Sequence, residues 1–97
     1  MLLVLITYDV NTVSSEGQRR LRQVSKLCQN YGQRVQNSVF ECVVDSTQFA
    51  ILKMQLQKVI DPSKDSLRFY QIGNNYKNKV EHFGVKEAID LEGPIIF

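Results

Sequence analysis

The chain has 97 residues, of which 43% are hydrophobic and 23% are charged, and its formal net charge at pH 7 is +2. This length suits one domain with a small core, and the ordinary composition excludes extensive disorder. The net charge is too small to indicate nucleic-acid binding by itself. No apolar run approaches the ~20 residues of a membrane-spanning helix, so no membrane partner is expected.

The cysteines and the N-terminus favour a cytoplasmic protein. Cys28 and Cys42 stand at apolar positions of predicted regular elements, which is typical of buried free thiols, and a disulfide between them is the alternative. No cysteine or histidine spacing suits zinc. The N-terminus has neither a basic region nor a cleavage site, so we expect a mature strand to begin near Met1.

The first predicted strand ends on an acid. Residues 2–8, LLVLITY, form a nearly continuous apolar run, which is typical of a central strand covered on both faces, and Asp9 follows directly. After a polar loop, Ser14 or Ser15 is the predicted N-cap of a helix that extends to about residue 31. Gly32 is the predicted stop of that helix.

The second half of the chain contains two further strands, a helix and a last strand. The stretch QRVQNSVFECVVD fits a short strand, a tight turn at Asn37-Ser38 and a longer strand, with one bent strand as the alternative. A second helix follows, capped by Ser46 or Thr47 and ended by an Asp-Pro pair. SLRFYQI then predicts the last strand of this part of the chain.

The element order β-α-β-β-α-β predicts a ferredoxin-like α+β sandwich. Right-handed crossovers place both helices on one face of a four-stranded antiparallel sheet, with the first and third strands central and the other face bare. We expect this domain to span residues 1–73, followed by a C-terminal extension over residues 74–97. The ending GPIIF predicts a short fifth strand that docks on a sheet edge of this chain or of a partner subunit.

Asp9 is the first candidate functional residue. A carboxylate at the end of a central strand is a hard oxygen ligand that suits Mg²⁺ or Mn²⁺, although an aspartate that starts a loop also commonly binds backbone N–H groups. One acid makes a poor metal site. A two-fold axis beside Asp9 would bring two copies together, which would then share a cation or a proton.

A cluster of basic residues is the second candidate. Arg19, Arg22 and Lys26 lie at i, i+3 and i+7, on one face of the predicted first helix. Arg20 is adjacent to them, and Arg34 begins the next strand. Guanidinium groups match phosphate oxygens well, so this set predicts a phosphate-binding surface, with a solvated helix face as the alternative.

Three stretches of the chain resemble the CRISPR-associated Cas2 family: LITYDV, RRLRQVSKLCQNYGQRVQNSVFEC and the tail LEGPIIF. The resemblance covers essentially the whole chain, and the tail resembles the subgroup found with type I-C systems. It implies a ferredoxin-like homodimer whose two sheets face one another and whose C-terminal strands pack on the partner subunit. In some members of the family one divalent ion lies between the two copies of the strand-end aspartate, which Asp9 matches.

The resemblance also implies roles for individual residues. Tyr8 and Asp9 match the catalytic strand end, with Asp9 as the ligand of Mg²⁺ or Mn²⁺. The predicted dimer contacts are Ile95, Ile96 and Phe97. The sequence departs from the family at Asn37, where a tyrosine is frequent. Taken from the basic helical face and from the matched family positions, the predicted nucleic-acid contacts are Arg19, Arg20, Arg22, Lys26, Arg34 and Phe40.

The resemblance leaves three functions open. The first is a Mg²⁺-dependent endonuclease that hydrolyses DNA or RNA during CRISPR spacer acquisition. The alternative is a non-catalytic scaffold that bridges dimers of the Cas1 integrase and holds the protospacer DNA. A second alternative is a VapD-type ribonuclease toxin.

Overall fold

The computed structural model describes residues 1–85, which form one four-stranded sheet and two helices. In chain order the elements are β1 (Leu2–Asp9), α1 (Ser15–Gln29), β2 (Gly32–Gln36), β3 (Val39–Val44), α2 (Ser46–Val59) and β4 (Ser66–Gly73). The sheet is antiparallel with the order β2-β3-β1-β4, so β1 and β3 are central, as predicted. The ferredoxin-like arrangement is therefore confirmed. Within the described part of the chain, neither helix is long and apolar enough to cross a membrane.

The core lies between the sheet and the two helices. Val4, Ile6 and Tyr8 of β1 alternate along the strand and share one face of the sheet. Both helices therefore cover this face. The buried residues that pack with them are Val24 and Cys28 of α1, Phe40, Cys42 and Val44 of β3, and Phe49, Leu52 and Leu56 of α2.

No helix covers the opposite face of the sheet in the part of the chain that the structure describes. Leu5 lies at the centre of this open face, paired in register with Glu41 on β3 and Tyr70 on β4. Val39 and Val43 flank Glu41 on the same face, and both are half-buried. Burial raises the pKa of the Glu41 carboxyl above its ordinary value. The half-buried side chains of Leu5, Val39 and Val43 suit contact of this face with a second sheet.

The ends of α1 are close to the predicted positions, but Gly32 has a different role. Ser14 is the N-cap, and its hydroxyl accepts the backbone N–H of Gly17 at 3.0 Å. The helix ends at Gln29 rather than near residue 31. Gly32 is the first residue of β2 and has no positive φ, and a Cβ there would collide with Glu41 and Cys42. The glycine therefore permits close approach of two strands instead of stopping the helix.

The cap of α2 lies one residue earlier than predicted. Asp45 is the N-cap, not Ser46 or Thr47. Its carboxylate accepts the Gln48 N–H at 2.7 Å, and the Gln48 side chain accepts the Asp45 N–H at 3.0 Å. This reciprocal capping box satisfies two donors at once, which a serine one position later would not do here.

Two further predictions concern the hairpin and the cysteines. Asn37 and Ser38 form the turn between β2 and β3, so the reading as a single bent strand is wrong. Cys28 and Cys42 are buried free thiols, and burial raises the pKa of each to about 12. Thiols of this kind are almost entirely protonated at neutral pH and act as small apolar side chains.

Candidate functional site

Tyr8 and Asp9 are neighbours in sequence but point to opposite faces of β1. Tyr8 is 5% exposed and packs in the core on the helix side of the sheet. Its hydroxyl lies 3.1 Å from the Ser25 hydroxyl and donates to the Asn37 carbonyl at 3.4 Å. Asp9 is exposed at the end of the strand, paired in register with Ser66. Because side chains alternate along a strand, the two side chains belong to different surfaces of one chain.

Asp9 has few potential metal ligands around it within one chain. Among residues 1–85, no group of three or more histidine, cysteine, aspartate or glutamate side chains lies close enough to hold a metal ion. A single carboxylate still suits Mg²⁺, which proteins commonly bind through one or two carboxylates together with water and substrate phosphates. The exposed position of Asp9 leaves room for such additional ligands.

A basic cavity of about 640 Å³ lies between α1 and the β2–β3 hairpin. Among the described residues that line it, three are cationic and none is acidic. Arg22 and Lys26 come from α1, one turn apart, and Arg34 comes from β2. The remaining lining residues are Tyr8, Leu21, Ser25, Gln29, Asn37 and Ser38.

Arg34 is fixed in the wall of this basic cavity. Its guanidinium lies over the ring of Phe40 at 5.2 Å, donates to the Asn37 carbonyl at 3.3 Å and donates to the Ser25 hydroxyl. Phe40 has no exposed area, so its ring is not available to stack on a base. Its contribution to the surface is to support Arg34 from below.

Arg20 is already engaged in an ion pair. Its guanidinium donates to both carboxylate oxygens of Asp65, at 2.8 and 3.3 Å, and the Asp65 side chain has no exposed area. The same carboxylate accepts the backbone N–H groups of Asn11 at 3.0 Å and Asp61 at 2.9 Å. Burial alone would raise the pKa of Asp65, but these hydrogen bonds lower it below its ordinary value. The pair joins α1 to the loop after Asp9 and to the turn before β4.

The structure thus places the predicted site residues on different parts of the surface. Among residues 1–85, Asp9 lies apart from the other predicted site residues, on the open side of the strand end, whereas the Tyr8 hydroxyl, Arg22, Lys26 and Arg34 meet around the basic cavity. Arg19 is exposed on α1 outside the cavity lining. Ile95, Ile96 and Phe97 lie outside the described residues. Ser25, which joins Tyr8 to Arg34, was not predicted.

These features define the class of the protein: a ferredoxin-like α+β domain with an exposed acid at the end of its central strand and a separate basic cavity. A family model described as CRISPR associated protein Cas2 matches residues 1–80. The chain belongs to the CRISPR-associated Cas2 family.

Individual relatives agree with this assignment. A Halalkalibacterium halodurans protein named CRISPR-associated endonuclease Cas2 is 68% identical over 96 residues, which are 99% of this chain and 100% of that protein. The crystal structure of Streptococcus pyogenes Cas2 at pH 6.5 is similar with a TM-score of 0.73 and 54% identity, covering 84% of this chain and 99% of that one. A chain from a structure titled Partial Cas6-RT-Cas1--Cas2 complex is similar with a TM-score of 0.65 and 29% identity, over 86% and 90% of the two chains.

Proposed function

We propose that this chain is an endonuclease that works as a homodimer and hydrolyses phosphodiester bonds of DNA or RNA during CRISPR spacer acquisition. One observation carries the proposal: Asp9 is exposed at the end of the central strand in a chain 68% identical to a protein named CRISPR-associated endonuclease Cas2. A carboxylate on a rigid strand end holds its position relative to a bound phosphate better than one on a loop.

The homodimer supplies the second carboxylate. Within residues 1–85 of one chain, Asp9 has no cluster of acidic or histidine partners, so a pair of ligands requires a second copy. The open face, with Leu5, Val39 and Val43 at its centre, is the surface for stacking two sheets about a two-fold axis. The tail residues Ile95, Ile96 and Phe97 would extend the contact, and the LEGPIIF ending supports a type I-C-like subgroup.

Mg²⁺ or Mn²⁺ fits the proposed position, because carboxylates are the hard oxygen ligands these ions prefer. Such an ion, when bound, lowers the pKa of a coordinated water and offsets negative charge on the phosphate. The two Asp9 side chains would hold and orient the ion. Tyr8 would act at a distance from the phosphate, by fixing Ser25 and Asn37, the partners of Arg34.

The basic residues of α1 and β2 would hold the nucleic-acid backbone. Arg19, Arg22 and Lys26 are exposed, and Arg34 presents unused N–H donors in the same cavity as Arg22 and Lys26. Arg20 would contribute less to direct contact than its neighbours, because Asp65 already accepts two of its hydrogen bonds.

Replacement of Asp9 by asparagine tests the nuclease function. We expect Asp9→Asn to keep the fold and lower cleavage of labelled DNA or RNA by about 100-fold or more, since it removes the two carboxylates that would hold the ion in the dimer. Wild-type cleavage should also require Mg²⁺ or Mn²⁺ and stop with EDTA. Asp45→Asn is the matched control, because asparagine caps a helix as well as aspartate. Equal cleavage by wild type and Asp9→Asn would rule out this function.

A scaffold in the integration complex is the second proposed function, supported by the similarity to a chain from a complex that contains Cas1. In that role the arginines hold duplex DNA and the chain binds the Cas1 integrase. A spacer-integration assay with the Asp9→Asn protein separates the two functions. Loss of cleavage with normal integration would assign the cellular role to the scaffold.

A further inference from the structure

The basic cavity carries more positive charge than its surroundings neutralise. Arg22, Lys26 and Arg34 all line it, and no acidic residue of the described part of the chain does. Within residues 1–85, the side chains of Arg22 and Lys26 make no hydrogen bond or ion pair. Three cations without a counter-charge in one concave site favour an anion there.

The wall of the basic cavity is arranged before any ligand binds. Arg34 is held by the Phe40 ring, the Ser25 hydroxyl and the Asn37 carbonyl. The Tyr8 hydroxyl contacts this hydroxyl and this carbonyl as well. A guanidinium has five N–H donors, and these contacts use only two of them. An anion that enters the cavity therefore meets oriented donors on Arg34, and the ordering cost of binding falls on the longer-reaching side chains of Arg22 and Lys26.

The charge and the volume of the basic cavity indicate which anion fits. A phosphodiester carries one negative charge, whereas a terminal phosphomonoester carries about −1.5 to −2 at pH 7. The volume of about 640 Å³ lies inside the usual range of roughly 300–1,000 Å³ for small-molecule sites, so the cavity has room for a terminal nucleotide.

We propose that the basic cavity binds the terminal phosphomonoester of a nucleic-acid strand, with the phosphate between Arg22, Lys26 and Arg34. The proposal rests on the proposed function in that the ligand is a nucleic acid. It adds that the protein distinguishes a phosphorylated strand end from a hydroxyl end.

The test compares equilibrium binding of labelled single strands of one sequence that end in a 5′-phosphate, a 3′-phosphate or hydroxyls at both ends. EDTA is present, so no strand is cleaved and a failure of the nuclease function does not affect the result. For wild type we expect one phosphorylated strand to bind about tenfold tighter than the hydroxyl strand. The arm that shows the preference identifies which end enters the cavity.

Variants at exposed positions keep the test interpretable. Arg22→Gln and Lys26→Gln should each reduce the ratio of the two affinities to about one- to threefold, since each removes one of the charges that face the phosphate. Arg19→Gln, on the same helix but outside the cavity lining, should weaken all strands equally and keep the ratio. Equal wild-type affinity for every strand, or an unchanged ratio in both cavity variants, would overturn the proposal.

Discussion

The Arg20–Asp65 pair determines which charges of α1 are left for a ligand. Arg19, Arg20 and Arg22 are close in sequence, yet only Arg20 reaches the buried Asp65 carboxylate. That carboxylate also holds the loop that follows Asp9 through the Asn11 N–H. Arg20 therefore helps to hold the loop after Asp9, and with it the end of β1, in position.

We expect Arg20→Ala and Asp65→Asn each to lower the thermal midpoint by several degrees, because each leaves its partner without a counter-charge. Thermal unfolding of the two single variants and the double variant checks this, and the double variant should lose less than the sum of the singles. Arg19→Ala is the control and should remain close to wild type. An equal loss of thermal midpoint in Arg19→Ala would show that the effect of Arg20→Ala does not come from its pair with Asp65.

The same pair predicts a pH dependence. The pKa of Asp65 is lower in the folded protein than its ordinary value, so its carboxylate stabilises the fold above the ordinary pKa of ~3.9 and loses that effect as the pH falls through the folded value. The difference in thermal midpoint between wild type and Asp65→Asn should thus be largest near neutral pH and shrink in acid. A difference in thermal midpoint that is constant with pH would contradict a lowered pKa of Asp65 in the folded protein.

Residue spacing predicts the exposed basic face of α1 but not the Arg20–Asp65 pair. It places Arg19, Arg22 and Lys26 on one face of α1, and all three are exposed there. It gives no sign that Asp65, 45 residues away from Arg20, folds back onto that helix. Alternation along β1 predicts that Tyr8 and Asp9 point to opposite faces of the strand. The family resemblance, in contrast, assigns both residues to one catalytic strand end.

At the scale of elements, hydrophobic periodicity is sufficient for the strands and helices because each has one buried face. The apolar run of β1 predicts its central place, and β1 does lie between β3 and β4. The role of Gly32 is harder to predict from the sequence, since a glycine after a helix is typical of a helix stop. The reason for this glycine is contact with the neighbouring strand, which only the fold reveals.

We expect Gly32→Ala to destabilise the fold by about 1–3 kcal/mol, because the new Cβ would collide with the backbone of β3 at Glu41 and Cys42. Backbone atoms in a paired strand cannot move aside without weakening the ladder. Urea unfolding measures the loss, with Gln36→Ala on the same strand as the exposed control. A Gly32→Ala protein as stable as wild type would show that β2 and β3 have room to separate.

At the scale of the whole molecule, topology alone predicts an open sheet face, and the described residues have one. The sequence of one chain does not specify how two such faces meet, because that depends on surfaces from both copies. The predicted fifth strand lies outside the described residues, so its role in the dimer stays a prediction. In the proposed dimer, two copies of Asp9 act together at one site.

Mixed dimers show whether cleavage requires both copies of Asp9. Wild-type and Asp9→Asn chains with different tags are refolded together in known proportions, and cleavage with Mg²⁺ is measured against the wild-type fraction. If both carboxylates are needed, activity follows the square of that fraction, and an equal mixture of randomly paired chains keeps about one quarter of the wild-type rate. A linear dependence, with about one half of the rate at equal mixing, would mean that each Asp9 works alone and would rule out a site shared by two copies.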